Sequence, residues 1–125
     1  MAKRILVVED DSAMRQVLVL QLKSKGYDVS AAADVVSGFA AVRRANPDLI
    51  LLDLGLPGGG GLNLLQRLQS IPTLSVIPVV VISARERSAI ERETLDAGAA
   101  HVFQKPIDQE QLLMKVRELL GEAPS

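Results

Sequence analysis

Glu9, Asp10, Asp11, Asp53, Ser83 and Lys105 are the residues of this chain whose types could do chemistry together. Each group directly follows a short strand-like segment: the apolar runs Ile5-Leu6-Val7-Val8, Leu49-Ile50-Leu51-Leu52 and Val79-Val80-Val81-Ile82, and the short piece His101-Val102-Phe103-Gln104. Brought to one edge, such carboxylates repel one another, and at least one pKa should rise unless a cation intervenes. The donor set suits a hard cation. Mg²⁺ prefers octahedral oxygen ligands, keeps several waters, and takes one or two carboxylates with phosphate oxygens. One carboxylate can then act as nucleophile on a phosphoryl donor. Mg²⁺ and Lys105 would neutralise the charge on the transferring group, and the Ser83 hydroxyl would donate to one of its oxygens. Asp53 is the best-placed nucleophile, because it ends the central strand and faces the cluster. Asp10 is expected as the direct metal ligand, Glu9 as a ligand through water, and the backbone carbonyl of Gly55 as a further ligand. Asp11 is read more simply as an acidic residue at a helix N-terminus.

The elements that must position these groups are legible in the hydrophobic pattern. Three of the apolar segments are short, continuous and partly β-branched, as strands covered on both faces of a parallel sheet are. Val29-Ser30-Ala31-Ala32 is a weaker strand, and His101–Gln104 a fifth, short one. Between them lie helical spacings. Met14, Val17, Leu18 and Leu22 share a face behind an expected N-cap at Ser12, with Gly26 as the stop. Val35, Val36, Phe39 and Val42 form a second helix, halted before Asn46-Pro47. Leu62, Leu65 and Leu68 mark a third, and Leu112, Leu113, Val116, Leu119 and Leu120 the last. The fourth, roughly Glu86 to Ala97, is poorly apolar. Ile90 and Leu95 are its core candidates, and it is expected to be the most mobile element. Strand and helix thus alternate five times. Right-handed crossovers then give an open, doubly wound parallel sheet, whose ligands bind beyond the carboxyl ends of the strands.

Bulk properties bound the function. At 125 residues with 48% hydrophobic content, the chain has the size and core of one domain. No uninterrupted apolar run approaches the roughly 18 residues of a membrane span. The N-terminus enters an apolar run of only four residues, too short for a secretory leader, which reads as cytoplasmic. Cysteine is absent, which excludes disulfide and Cys-ligated zinc designs. A net charge of −1, with Tyr27, Phe39 and Phe103 as the only aromatics besides His101, offers neither a basic footprint nor a stacking platform for nucleic acid. Any effect on DNA must pass through another domain or a partner.

Four motifs in order resemble the receiver domain of two-component response regulators, over essentially the whole chain. They are Ile5-Leu6-Val7-Val8-Glu9-Asp10-Asp11, Pro47 through Pro57 with Gly61, Val81-Ile82-Ser83-Ala84, and Phe103-Gln104-Lys105-Pro106. The resemblance implies a (βα)₅ flavodoxin-like, chemotaxis-regulator-like sandwich with strand order 2-1-3-4-5. It implies that Asp53 takes a phosphoryl group from a phosphohistidine on a sensor kinase or phosphotransfer protein, with Mg²⁺ as cofactor. Ser83, the Ala84 backbone and Lys105 would contact the phosphoryl oxygens, Lys105-Pro106 would be cis, and an output domain or target protein would read the change. Residues 1–121 would be the receiver and 122–125 a tail or linker stub.

The chain departs from that family's pattern at Val102 and in a glycine run, and two features near strand five are read beside them. Val102 stands where receivers carry an aromatic switch residue, while Phe103, on the opposite side of the strand by alternation, is expected in the core. The run Gly58-Gly59-Gly60-Gly61 lacks the Lys and Ser/Thr of a phosphate-cradling loop and is read as a flexible partner or metal-site loop. His101, expected to be exposed, is given no role. Ala99-Ala100-His101 lacks the acidic residues of one DNA-binding subfamily's dimer face, so that dimer is not carried over. Three competing readings share the architecture. A flavin-type domain would want a hydroxyl- and glycine-rich loop after strand one, where Glu9-Asp10-Asp11 stands. An aspartyl-phosphate phosphatase would want a second Asp where Gly55 stands. A phosphate-independent interaction module would not need Glu9, Asp10, Asp53, Ser83 and Lys105 together.

Overall fold

The computed structural model describes residues 2–56 and 60–122. Its elements run β1 (Arg4–Val8), α1 (Ser12–Ser24), β2 (Asp28–Ala32), α2 (Val35–Ala45), β3 (Leu49–Asp53), α3 (Gly60–Gln69), α4 (Pro72–Ser75), β4 (Val79–Ser83), α5 (Arg87–Asp96), β5 (His101–Gln104) and α6 (Gln109–Leu119). The strands form one parallel sheet, as the doubly wound reading expects, in the order β2-β1-β3-β4-β5 that the family resemblance implies. Pairs such as Val8 with Leu52, Asp53 with Ile82 and Ser83 with Gln104 set the register, and they align the carboxyl ends of β1, β3, β4 and β5 along one edge.

Alternation along each strand divides the core in two. Leu6, Val8, Ile50, Leu52, Val79, Val81 and Val102 face α2, α3 and α5. Ile5, Val7, Leu49, Leu51, Val80, Ile82 and Phe103 face α1 and α6. β3 and β4 are buried at every position, which explains why their sequences are continuous rather than alternating. Each of these fully buried Leu, Ile or Val side chains contributes about 1.5–3 kcal/mol relative to exposure. Val102 and Phe103 thus belong to opposite cores.

Several local expectations are corrected. The N-cap of α1 is Asp11, not Ser12: its side chain accepts from Met14 N at 2.9 Å, bearing out the helix-terminus reading of that acid. Val17 of α1 and Val36 of α2 lie outside, Val36 at 76% exposure, because Leu18 with Leu22, and Val35 with Val42, take the inward phases. The fourth expected helix is α5. Its inward residues are Ile90 and, one turn on, Thr94 at 1% exposure, leaving Leu95 at 40%. The Thr94 hydroxyl donates to Ile90 O at 2.7 Å, so its polar atom is satisfied while its methyl packs. The four-residue α4 had no signal beyond Pro72 at its first position. Of the four-glycine run, Gly58 and Gly59 lie outside the described residues, as do Ala123, Pro124 and Ser125 of the tail. Glu122 is engaged: its carboxylate accepts from the Tyr27 hydroxyl at 2.6 Å. Partly for that reason, but first through burial, the Tyr27 pKa is pushed up to about 12.

Candidate phosphoryl and metal site

Asp53 is the last residue of β3, and only 5% of its surface is exposed. Its neighbour Leu54 donates to Ile82 O at 2.9 Å, so the turn after β3 stays tied to β4. Gly55 N donates to Asp53 Oδ1 at 3.3 Å, which orients the carboxylate. Below the turn, α3 bites directly onto it. Gly61 N donates to Leu54 O at 2.8 Å, and a Cβ at Gly61 would overlap the Asp53 carbonyl oxygen and approach Leu54 Cα to 2.8 Å. Only glycine permits that approach.

β1 delivers the acidic pair. Carboxylate oxygens of Glu9, Asp10 and Asp53 lie within 4.8 Å of one another. Glu9 is fully buried and Asp10 exposed. The turn carrying them is pinned by Arg15, whose guanidinium donates to Glu9 O at 2.8 Å and Asp10 O at 3.3 Å. Glu9 Oε2 accepts from Asp11 N at 3.2 Å, and its Oε1 lies 2.9 Å from Lys105 Nζ. That second approach is an ion pair out of hydrogen-bond line, since Oε1 has no aligned donor. Lys105 Nζ also stands 3.6 Å from Asp53 Oδ1.

Electrostatics follow from this crowding. Burial raises the Glu9 pKa to about 7; Lys105 and the Asp11 amide oppose the shift, and Asp53 reinforces it. Asp10 is held below the ordinary carboxylate range, first by hydrogen bonding with the Asp53 side chain. Burial alone would lower the Lys105 pKa, but its partners Glu9 and Asp53 outweigh burial and raise it. The expectation that carboxylates here would repel and lift a pKa is met, and the group lifted is Glu9.

The opposite wall comes from β4 and β5. Ser83 is buried, and its Oγ accepts from Arg85 N at 3.1 Å. Lys105 N donates to Ser83 O at 2.7 Å, and Lys105-Pro106 is cis. Asp53, Leu54, Gly55, Ser83, Ala84, Arg85 and Lys105 line an open cavity of roughly 400 Å³. Every expected site residue is therefore brought to one edge. Sequence reasoning missed Arg15 and the steric demand on Gly61. It also missed Gln104, whose Oε1 accepts from Arg87 N at 3.1 Å. A larger cavity of about 840 Å³ lies away from this chemistry, between β5 and α6. There His101 is half-buried rather than exposed, its ring edge-on to Phe103 at 4.6 Å, and burial lowers its pKa.

A doubly wound parallel sheet gathers carboxylates, a hydroxyl and a lysine at its carboxyl edge, a donor set that could hold a divalent cation. Residues 5–117 match the response regulator receiver domain, and the chain belongs to that family, the receivers of two-component response regulators. It is 38% identical over 117 residues to the DNA-binding dual master transcriptional regulator RpaA of Synechocystis, covering 94% of this chain and 48% of that protein. It is 39% identical over 119 residues to the response regulator PleD of Caulobacter vibrioides, covering 95% of this chain and 26% of that one. The chain thus spans about half or less of the length of these relatives. Among solved structures, a putative response regulator from Chloroflexus aurantiacus superposes with a TM-score of 0.92 at 26% identity, covering 98% of this chain and all of the other. A CheY-like receiver domain from Methanospirillum hungatei gives 0.89 at 29% identity, covering 97% and 95%.

Proposed function

We propose that Asp53 is the phosphoacceptor of this receiver and that Mg²⁺ assists it. The observation that carries the reading is the convergence of the Asp53 carboxylate, Lys105 Nζ at 3.6 Å, and Ser83 with Ala84 around one open cavity. An Asp53 oxygen attacks the phosphorus of a phosphohistidine on a sensor kinase or phosphotransfer protein, and the P–N bond breaks as the P–O bond forms. The leaving imidazole keeps the bonding pair. Lys105 then faces the new phosphoryl oxygens, the Ser83 hydroxyl turns from accepting to donating, and the Ala84 N–H supplies a second donor.

The residues present fit a hard divalent cation, since the donor set is all oxygen and includes one exposed carboxylate. Asp10, Asp53 and the Gly55 carbonyl would hold it directly. Glu9, with one oxygen on an amide and the other beside Lys105, would act through water. When bound, Mg²⁺ supplies neutralisation of charge on the phosphoryl group and relief of the carboxylate repulsion.

On this reading residues 1–121 are the receiver unit, and the chain turns nothing over beyond its own phosphorylation and dephosphorylation. Its partners are the phosphodonor and an output domain or target protein, and nucleic acid is touched only by those. A cytoplasmic location fits a phosphohistidine donor, and among the described residues no helix is long and apolar enough to cross a membrane. Incubation with acetyl phosphate and Mg²⁺ should add one phosphate by intact mass, and Asp53→Asn should abolish the shift. Persistence of the adduct in that variant would overturn the assignment.

A further inference from the structure

We propose that Gln104 is a positioning residue for phosphoryl transfer: its side chain fixes the Ser83–Ala84 loop against β5, next to Lys105. The inference rests on the phosphoacceptor reading and deepens it.

The loop between β4 and α5 carries the Ser83 hydroxyl and the Ala84 amide, and Ala84 through Ala89 are exposed. A loop of that kind needs an anchor at its far end to hold two donors in place. The start of α5 offers none locally, because Glu86 occupies the N-cap and gives no side-chain cap hydrogen bond. The missing acceptor is supplied from another strand. Gln104 Oε1 accepts from Arg87 N, the first residue of α5, at 3.1 Å across 17 residues of sequence. This satisfies one of the free amides at the helix start.

Gln104 suits that task by position. It is the register partner of Ser83 across β4 and β5, so both ends of the loop close on one point of the sheet. The next residue, Lys105, donates from its backbone to Ser83 O at 2.7 Å. Residues 83–87 therefore form a closed span, tied at the bottom through Ser83 and Lys105 and at the top through Arg87 and Gln104. Cutting the upper tie leaves the far end of the loop held only through the packing of Ile90 and Thr94 further along α5. The donors at Ser83 and Ala84 would then sample wider positions, and transfer rates fall steeply with small misplacements. The carboxylate wall, built from β1 and β3, stays untouched. The signature of the proposal is thus a split: phosphoryl chemistry moves and cation affinity does not.

The test compares Gln104→Met, which keeps size but loses the acceptor, with Gln104→Glu, which retains an acceptor at the helix start. Each is measured beside wild type and Asp53→Asn. Phosphorylation rates are read by intact mass with acetyl phosphate and saturating Mg²⁺, Mg²⁺ affinity by isothermal titration calorimetry, and the Arg87 amide by hydrogen exchange. Loss of one net hydrogen bond should slow Gln104→Met roughly three- to tenfold. Its Mg²⁺ affinity should stay within about twofold, its Arg87 amide should exchange faster, and Gln104→Glu should recover most of the rate. An unchanged rate in Gln104→Met, an equal fall in both variants, or a parallel loss of Mg²⁺ affinity overturns the proposal. Failure of wild type to take up phosphate, or uptake by Asp53→Asn, instead overturns the underlying reading and this inference with it.

Discussion

The two walls of the site are built on opposite physical terms. The carboxylate wall stands on β1 and β3 at the centre of the sheet, where every β3 residue is buried and α3 closes onto the Asp53 backbone through Gly61. The donor wall stands on the β4–α5 loop and the end of β5, an edge strand, under a helix with only Ile90 and Thr94 fully buried. One wall stores charge repulsion in a rigid frame. The other presents donors on a segment with few anchors, which opens at lower cost. On the proposed reading, a phosphoryl group bound between them would find its acceptor fixed and its donors able to move, and that asymmetry would let a covalent event at Asp53 become a change at α5.

The comparison breaks most visibly at Gly61. A methyl group there overlaps the Asp53 carbonyl, so Gly61→Ala must push α3 off the turn that holds Asp53 and Gly55. Overpacking of this kind costs on the order of 1–3 kcal/mol or more. Urea unfolding should show that loss, and phosphate uptake from acetyl phosphate should fall by more than tenfold at a temperature where the variant remains folded. A stable variant with wild-type uptake would mean the carboxylate wall is not rigid.

The stored repulsion itself can be read through pH. In the metal-free protein, burial lifts Glu9 to about 7 from an ordinary value of 4.5. A carboxyl raised on folding binds its proton more tightly in the native state. Stability from this group is therefore fully present below pH 4.5 and is lost as pH rises towards 7. Glu9→Gln should remove that decline, making the variant more stable than wild type at pH 8 by about 1–2 kcal/mol and flattening the slope between pH 4.5 and 7. Added Mg²⁺ should narrow the difference at pH 8. Equal slopes in the two proteins would show that the pairing with Lys105 already cancels the cost of burying Glu9.

How far the sequence reveals such features depends on whether the cause is local. Asp10, Asp53, Ser83 and Lys105 were legible because each ends an apolar run, and a parallel sheet takes every such end to one edge. The strand order followed from family resemblance rather than from periodicity. Asp11 was legible as a helix-terminus acid, but Ser12 competed with it for the cap, and cap geometry turns on one residue's backbone. Gly61 and Gln104 act through approaches between elements distant in sequence, a helix onto a strand end and a side chain onto another helix's first amide. No spacing rule encodes those. The complete burial of Glu9 beside Lys105 has no sequence signal either, because it depends on the packing of β5 against the rest.

The smallest effect tests the donor wall from its own helix. Leu95 looked like the second anchor of α5 because it is the larger apolar residue, yet Thr94 occupies the inward phase one turn after Ile90. Leu95→Ala should therefore change stability by less than about 0.5 kcal/mol, as an outer-face substitution does. Ile90→Ala should cost about 2–5 kcal/mol for the cavity it leaves. Thermal unfolding of the pair checks the contrast. A large loss at Leu95 would mean that α5 is anchored on two sides, and the donor wall would then lack the low cost of movement that distinguishes it from the carboxylate wall.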